Sequence, residues 1–186
     1  MSFARFAVPA FALALMVAPS AVLAQQKNPA GTQAQRDAMA RLAFLDGEWR
    51  GTAVVTSPAG RQTLTQTERV GPHLGGSVRV IEGRGYAADG STAFNAMAIV
   101  SWDTSRNAYG FRSYAQGYQG DYPFEVTDDG FRWQLPAGPG AMMRYVATIS
   151  GGRWQQVGHY VRDGQPPVQV FEMDLTRLGD TGWPSA

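Results

Sequence analysis

From Glu48 to Leu178 apolar and polar residues alternate with a period of two, in short runs broken by clusters of Gly, Pro, Asp and Asn. That alternation is the pattern of strands with one face buried. It predicts ten of them, at Glu48–Ser57, Arg61–Val70, Ser77–Tyr86, Thr92–Trp102, Ala108–Gln116, Tyr122–Thr127, Phe131–Leu135, Met142–Ser150, Arg153–Val161 and Val168–Leu178. The breakers between them, among them SPAG, ADG, GYQGD, DDG and SGG, each carry glycine or an Asp/Asn-type turn former. Before Glu48 the period changes. Thr32 stands three residues ahead of Gln35, a capping-box pattern that predicts a short helix from Gln33, and Met39, Leu42 and Leu45 give it one apolar face up to Gly47.

No segment is long enough for the helical crossover that a parallel sheet requires, so parallel α/β folds are excluded. Ten sequential strands must hide their edges, and closure does so most completely. The expected architecture is all-β: a closed antiparallel up-and-down barrel of about ten strands with one short N-terminal helix. A two-sheet sandwich is the alternative, but its links are usually longer than these breakers.

Strand periodicity sorts the side chains. Trp49, Gly51, Ala53 and Val55 share one face of the first strand. Leu64, Gln66, Glu68 and Val70 form the inner face of the second, and Val78, Val80 and Glu82 lie on one side of the third. Glu68 and Glu82 are therefore candidate interior carboxylates. The commoner arrangement for such groups is to face water or pair with an arginine such as Arg79, Arg84 or Arg112. In the last strand Phe171, Met173 and Leu175 project with Arg177, which needs a partner if it shares the core side. First and last strands become neighbours on closure, so Arg177 is expected over the indole of Trp49 at the closed end.

The first residues change the picture of where the chain works. Arg5 precedes an apolar run from Phe6 to Ala18, and Val22 and Ala24 supply small residues at positions −3 and −1 of a cleavage site before Gln25. The run is too short for a membrane span of roughly 20 residues, and no cysteine follows to carry a lipid. Residues 1–24 therefore read as a signal peptide, 25–31 as a linker and 32–180 as the barrel. The expected location is periplasmic or secreted, with no stable membrane anchor after cleavage.

Charge excludes a class of partner. The chain has 16 basic and 15 acidic residues, and removing Arg5 with the leader balances them, which leaves no electrostatic footprint for nucleic acid. Cysteine is absent, which removes disulfides, thiolate metal sites and cysteine nucleophiles. The only histidines are His73, in a Pro/Gly turn that suggests a solvated side chain, and His159, whose strand is mixed on both faces. No metal-ligand spacing, nucleophile elbow or P-loop occurs. Gly83-Arg-Gly85-Tyr-Ala-Ala88 fits a dinucleotide-binding pattern only formally, because a strand and not a helix follows it. No catalytic residue and no metal ligand is assigned.

Leu45-x-Gly47-x-Trp49-x-Gly51 on the first strand, with an arginine near the end of the last, resembles the calycin group of barrels: lipocalins, fatty-acid-binding proteins and nitrobindins. Four stretches are similar to the bacterial domain-of-unknown-function family 1579: Gln66–Gly83, Ser101–Tyr109, Arg153–Tyr160 and Phe171–Arg177. The resemblance covers about residues 41–178 and implies a calycin-like barrel closed at one end by Trp49 and Arg177. It implies no activity. Nitrobindins hold haem through a histidine on the final strand; here that strand has none, and His159 lies one strand earlier. Three readings follow. The leading one is a binding barrel for a small, largely apolar molecule, lined by Phe111, Phe131, Trp133, Tyr145 and Phe171, with Gln66, Glu68 and Arg112 as polar anchors. The others are a nitrobindin-like haem enzyme using His159, and a barrel packed solid that serves structure or interaction. No cofactor is expected on the first reading, which is not that of an enzyme.

The leader yields a direct expectation: N-terminal sequencing of exported protein should read from Gln25. Intact Met1 on that material would remove the assignment to periplasm or medium.

Overall fold

The computed structural model describes residues 28–183, so the leader and residues 25–27 of the linker lie outside the described residues. The helix α1 spans Pro29–Ala40, and eleven strands follow: β1 Gly47–Ser57, β2 Gly60–His73, β3 Val78–Tyr86, β4 Thr92–Asp103, β5 Ala108–Ala115, β6 Tyr118–Tyr122, β7 Phe124–Val126, β8 Gly130–Pro136, β9 Ala141–Ser150, β10 Arg153–Arg162 and β11 Val168–Gly179. All pairings are antiparallel between neighbours in sequence, and β1 also pairs with β11, so the sheet runs β6-β5-β4-β3-β2-β1-β11-β10-β9-β8-β7. This is the expected up-and-down barrel, nearly closed.

The strand beyond ten is β6, which occupies the GYQGD segment read from the sequence as a breaker. Gln116 and Gly117 take φ of 51° and 84°, a tight turn of two left-handed residues, and the chain extends again at once. β6 pairs only with β5, and β7 only with β8. Between them stands Pro123, which has no N–H for a ladder. The wall is sealed there by rings: Phe124 stacks on Phe111 at 5.2 Å and on Phe131 at 5.2 Å.

The helix begins earlier than its sequence pattern suggests. Asn28 is the N-cap, its side chain accepting from the Gly31 amide at 2.9 Å, and Pro29 occupies the first turn, where a missing N–H costs nothing. Thr32 lies inside the helix and donates to the Asn28 carbonyl at 3.0 Å. Residues 29–31 thus belong to α1 and not to a linker. The helix ends at Ala40, and a 3-10 turn over Ala43–Leu45 continues the apolar stripe. Met39, Leu42 and Leu45 are wholly buried with Trp49, Val70, Val100 and Leu175. They plug one end of the barrel.

Arg79 locks that plug. It is 5 % exposed, and its Nε and Nη2 donate to the two carboxylate oxygens of Asp46 at 2.7 and 2.6 Å while Nη1 donates to the Met39 carbonyl. One guanidinium thereby adds a donor to the Met39 carbonyl, which also accepts from the Leu42 amide at 3.0 Å, and pairs its own charge. Tyr109 adds a hydroxyl bond to the Ala38 carbonyl at 2.9 Å.

The inner face of β3 corrects the sequence reading. Arg79, Gly83 and Gly85 are buried, whereas Glu82 turns outward and pairs with Arg84 at 2.5 Å. Ile81 is the one apolar side chain on that face, beside two glycines and an arginine, so Val78 and Val80 looked like the core side. Arg177 corrects it as well. It faces Trp49 in the β1–β11 register, yet its guanidinium donates to the Asp46 carbonyl at 3.1 Å and to Asp180 at 2.6 Å. A bulge at Glu48/Trp49 offsets the pair, and the guanidinium passes over Gly47, where an added Cβ would lie 2.7 Å from Arg177 Nε. The ring that Trp49 meets is Trp154, edge-on at 5.7 Å. Trp49 Nε1 donates to the Leu45 carbonyl at 2.9 Å. His73, finally, is not simply solvated: it packs against Trp183 at 4.7 Å, and Arg69 covers the same indole at 5.1 Å.

Trp49→Ala should cost about 3–5 kcal/mol as a large-to-small change in a full core. Arg79→Ala should cost about as much, because it leaves the Asp46 carboxylate without its charge partner, while the double change Arg79→Met with Asp46→Leu should cost less than Arg79→Ala alone. Equilibrium denaturation of the three variants measures both; a double variant less stable than Arg79→Ala would contradict the desolvation argument.

Candidate ligand-binding cavity

Away from the plug the barrel is hollow. The cavity has a volume of about 730 Å³, within the range of small-molecule sites, so the solid-packed barrel is not what forms. Its origin is an imbalance of side-chain size. Ala53, Gly83, Ala96, Ala98, Ser113 and Ala115 line one wall, and across from them stand Phe131, Trp133, Tyr145, Trp154 and Phe171. The large rings pack on each other: Trp133 lies flat on Tyr145 at 4.4 Å, and Tyr145 meets Phe171 edge-on at 5.6 Å. Gly158 makes that possible, since a Cβ there would come within 2.6 Å of the Tyr145 ring.

The polar part of the site is on β2. Gln66, 4 % exposed, donates from Nε2 to Glu68 Oε1 at 2.7 Å. Both line the cavity, and the surface that Glu68 keeps is turned to it. Space for the pair is made by the facing strand, on which Gly83 and Gly85 stand opposite Glu68 and Gln66 in register. A Cβ at Gly83 would sit 2.8 Å from the Glu68 carboxylate, and one at Gly85 3.0 Å from Gln66 Oε1. The Gly83-Arg-Gly85 sequence, which fails as a nucleotide motif, has this packing role instead.

Burial pushes the Glu68 carboxyl up to about 8; the Gln66 hydrogen bond opposes that shift and the charge of Glu82 behind β3 adds to it. The acid is thus held mostly neutral at pH 7. Burial also raises the Tyr145 phenol. Among the described residues, Glu68 is the one acid lining the cavity, and no lysine, arginine or histidine lines it. Gln156 is buried in the same wall, and the buried Nε1 of Trp154 has no hydrogen-bond partner among the described residues.

The structure brings together Gln66, Glu68, Trp133, Tyr145 and Phe171 from the residues singled out in sequence, with Phe111 and Phe131. It leaves Arg112 out. That side chain is exposed on the outer face, paired through Nε with Asp121 at 2.7 Å, because the inward positions of β5 are Phe111 and Ser113. His159 is not among the lining residues either. It follows a bulge at Gly158/His159 on β10, whose buried positions are Trp154, Gln156 and Gly158. Sequence reasoning missed Trp154 and Gln156 as lining residues, although their alternation with Gly158 marks one face of β10. It also missed the glycines facing Glu68, which only the strand register reveals. Among the described residues, no three His, Asp or Glu gather closely enough to hold a metal ion.

Among solved structures, the chain is similar to Rv2717c from M. tuberculosis, with a TM-score of 0.57 and 16% sequence identity over 76% of this chain and 97% of that one. At that identity the likeness speaks for the barrel fold. No family model matches the sequence, and no curated protein does.

The raised Glu68 carboxyl has a consequence for stability. Its ordinary value is 4.5 and its folded value about 8, so between those pH values the folded state holds the extra proton and stability falls as pH rises. The effect is bounded by about 1.4 kcal/mol per unit of the shift. Denaturation of wild type and Glu68→Gln from pH 4 to 9 should show the wild type losing stability relative to the variant across that window. Parallel curves would contradict the placement of a buried carboxyl here.

Proposed function

We propose that the protein is an exported barrel that binds a small, largely apolar molecule in the cavity between the aromatic wall and the Gln66–Glu68 pair. The observation that carries this reading is the cavity itself: about 730 Å³ of space inside an interior that would otherwise close to crystal-like density. An apolar lining with a few convergent polar groups supports recognition of a compact body with one polar end. The absence of His159 from the lining favours this reading over a haem-dependent enzyme. The leader pattern supports a site of action in the periplasm or medium. Membership of the bacterial family of unknown function 1579, drawn from sequence likeness alone, would add no activity to it.

Titration with N-phenyl-1-naphthylamine, a nearly neutral fluorophore at pH 7, tests the reading. Saturable one-to-one binding with a blue-shifted emission is expected, and Ala115→Trp, which fills the cavity near the β5–β6 turn, should weaken it by about tenfold or more, or roughly 1.4 kcal/mol. Equal binding by wild type and variant would place the probe elsewhere and count against the cavity.

A further inference from the structure

The charge pattern of the cavity narrows the ligand beyond an apolar molecule. A site built for carboxylates or phosphates presents a cation to them. This one presents the reverse: Glu68 is the one acid in the lining among the described residues, no lysine, arginine or histidine lines the space, and Gln66 is its hydrogen-bond partner from the chain. Across the barrel stand Trp133, Tyr145 and Trp154, rings whose faces attract a cation.

Resting on the reading of the cavity as a ligand site, we propose that it takes a lipophilic amine, its nitrogen against Glu68 and its hydrocarbon or aromatic body along the Trp133–Tyr145–Phe171 wall. Two features of the site fit that class. The glycines opposite Glu68 and Gln66 hold the carboxyl in the barrel and leave no side chain of β3 over it. The oxygen of Glu68 that Gln66 does not reach is left for a donor from the ligand. The groups facing Glu68 from the packed strands are Trp49 on β1, Gly83 on β3 and Gln66 on β2 itself, none of them charged, and the nearest like charge is Glu82 on the outside of β3. An ammonium ion entering the cavity supplies the missing counter-charge. Glu68 then gives up its proton to solvent, and the bound state is an ammonium–carboxylate pair with one proton released.

Calorimetry with three molecules of one skeleton tests this: 2-(2-naphthyl)ethylamine, 2-(2-naphthyl)ethanol and 2-naphthylacetate, at pH 7 in phosphate and in Tris. The amine should bind at least about tenfold tighter than the alcohol, the acetate weakest, and the heat of amine binding alone should change with the buffer as a proton leaves. Glu68→Gln should abolish both the amine preference and the proton release. Alcohol or acetate binding as tightly as the amine would overturn the amine assignment while leaving the cavity reading intact. So would amine binding with no buffer dependence in the wild type, a result that does not depend on how the variant folds. If none of the three binds while N-phenyl-1-naphthylamine does, the amine assignment also falls; if that probe fails too, both readings fall.

Discussion

The buried guanidinium of Arg79 sets the terms for the rest of the molecule. An unpaired charge at that depth would cost far more than a small domain can spare, so Arg79 fixes Asp46 after the 3-10 turn and the Met39 carbonyl at the end of α1. Those three bonds hold the segment from α1 to β1 across the mouth of the barrel. Met39, Leu42 and Leu45 are thereby set under Trp49, and that end packs solid. Arg177 works on the same corner from the other side, binding the Asp46 carbonyl that precedes the bend into β1.

A barrel plugged at one end has a floor, and the choice of side chains above it decides whether the remainder fills. Alanine and glycine on β1, β3, β4 and β5 face tryptophan, tyrosine and phenylalanine on β8 to β11, and the rings prefer to stack on one another over reaching across. The space left between the two walls is the cavity. Into it the chain places a carboxyl and a carboxamide that each require a glycine on the neighbouring strand. Polar groups of this kind weaken a core that could have been apolar, and residues that break local rules at a cost to stability are where function is expected.

Much of this was legible in the chain. Period-two alternation located ten of the eleven strands and the inner faces of β1 and β2, including Gln66 and Glu68, because there apolar and polar residues alternate cleanly. It failed on β3, where Ile81 shares the inner face with Arg79, Gly83 and Gly85: glycine carries no hydrophobic signal, and a buried arginine is recognised only once its partner, 33 residues away in sequence, is known. It failed at Arg112 because Phe111 and Arg112 are adjacent and only one of them can face inward. The helix start was misplaced by a competing cap, Asn28 with Pro29, and β6 was hidden in a segment whose polar composition resembles a turn. Trp183 lies beyond the last strand, so its hold on His73 and Arg69 had no pattern to reveal it.

The central claim is that the hollow end is built to be occupied. A crystal structure of the protein isolated from its native compartment, without added ligand, tests it most directly. The account predicts the same cavity, holding electron density for a non-protein molecule between Glu68 and the Trp133–Tyr145 stack. A barrel whose side chains have closed the space, leaving no cavity between Gln66–Glu68 and those rings, would contradict it.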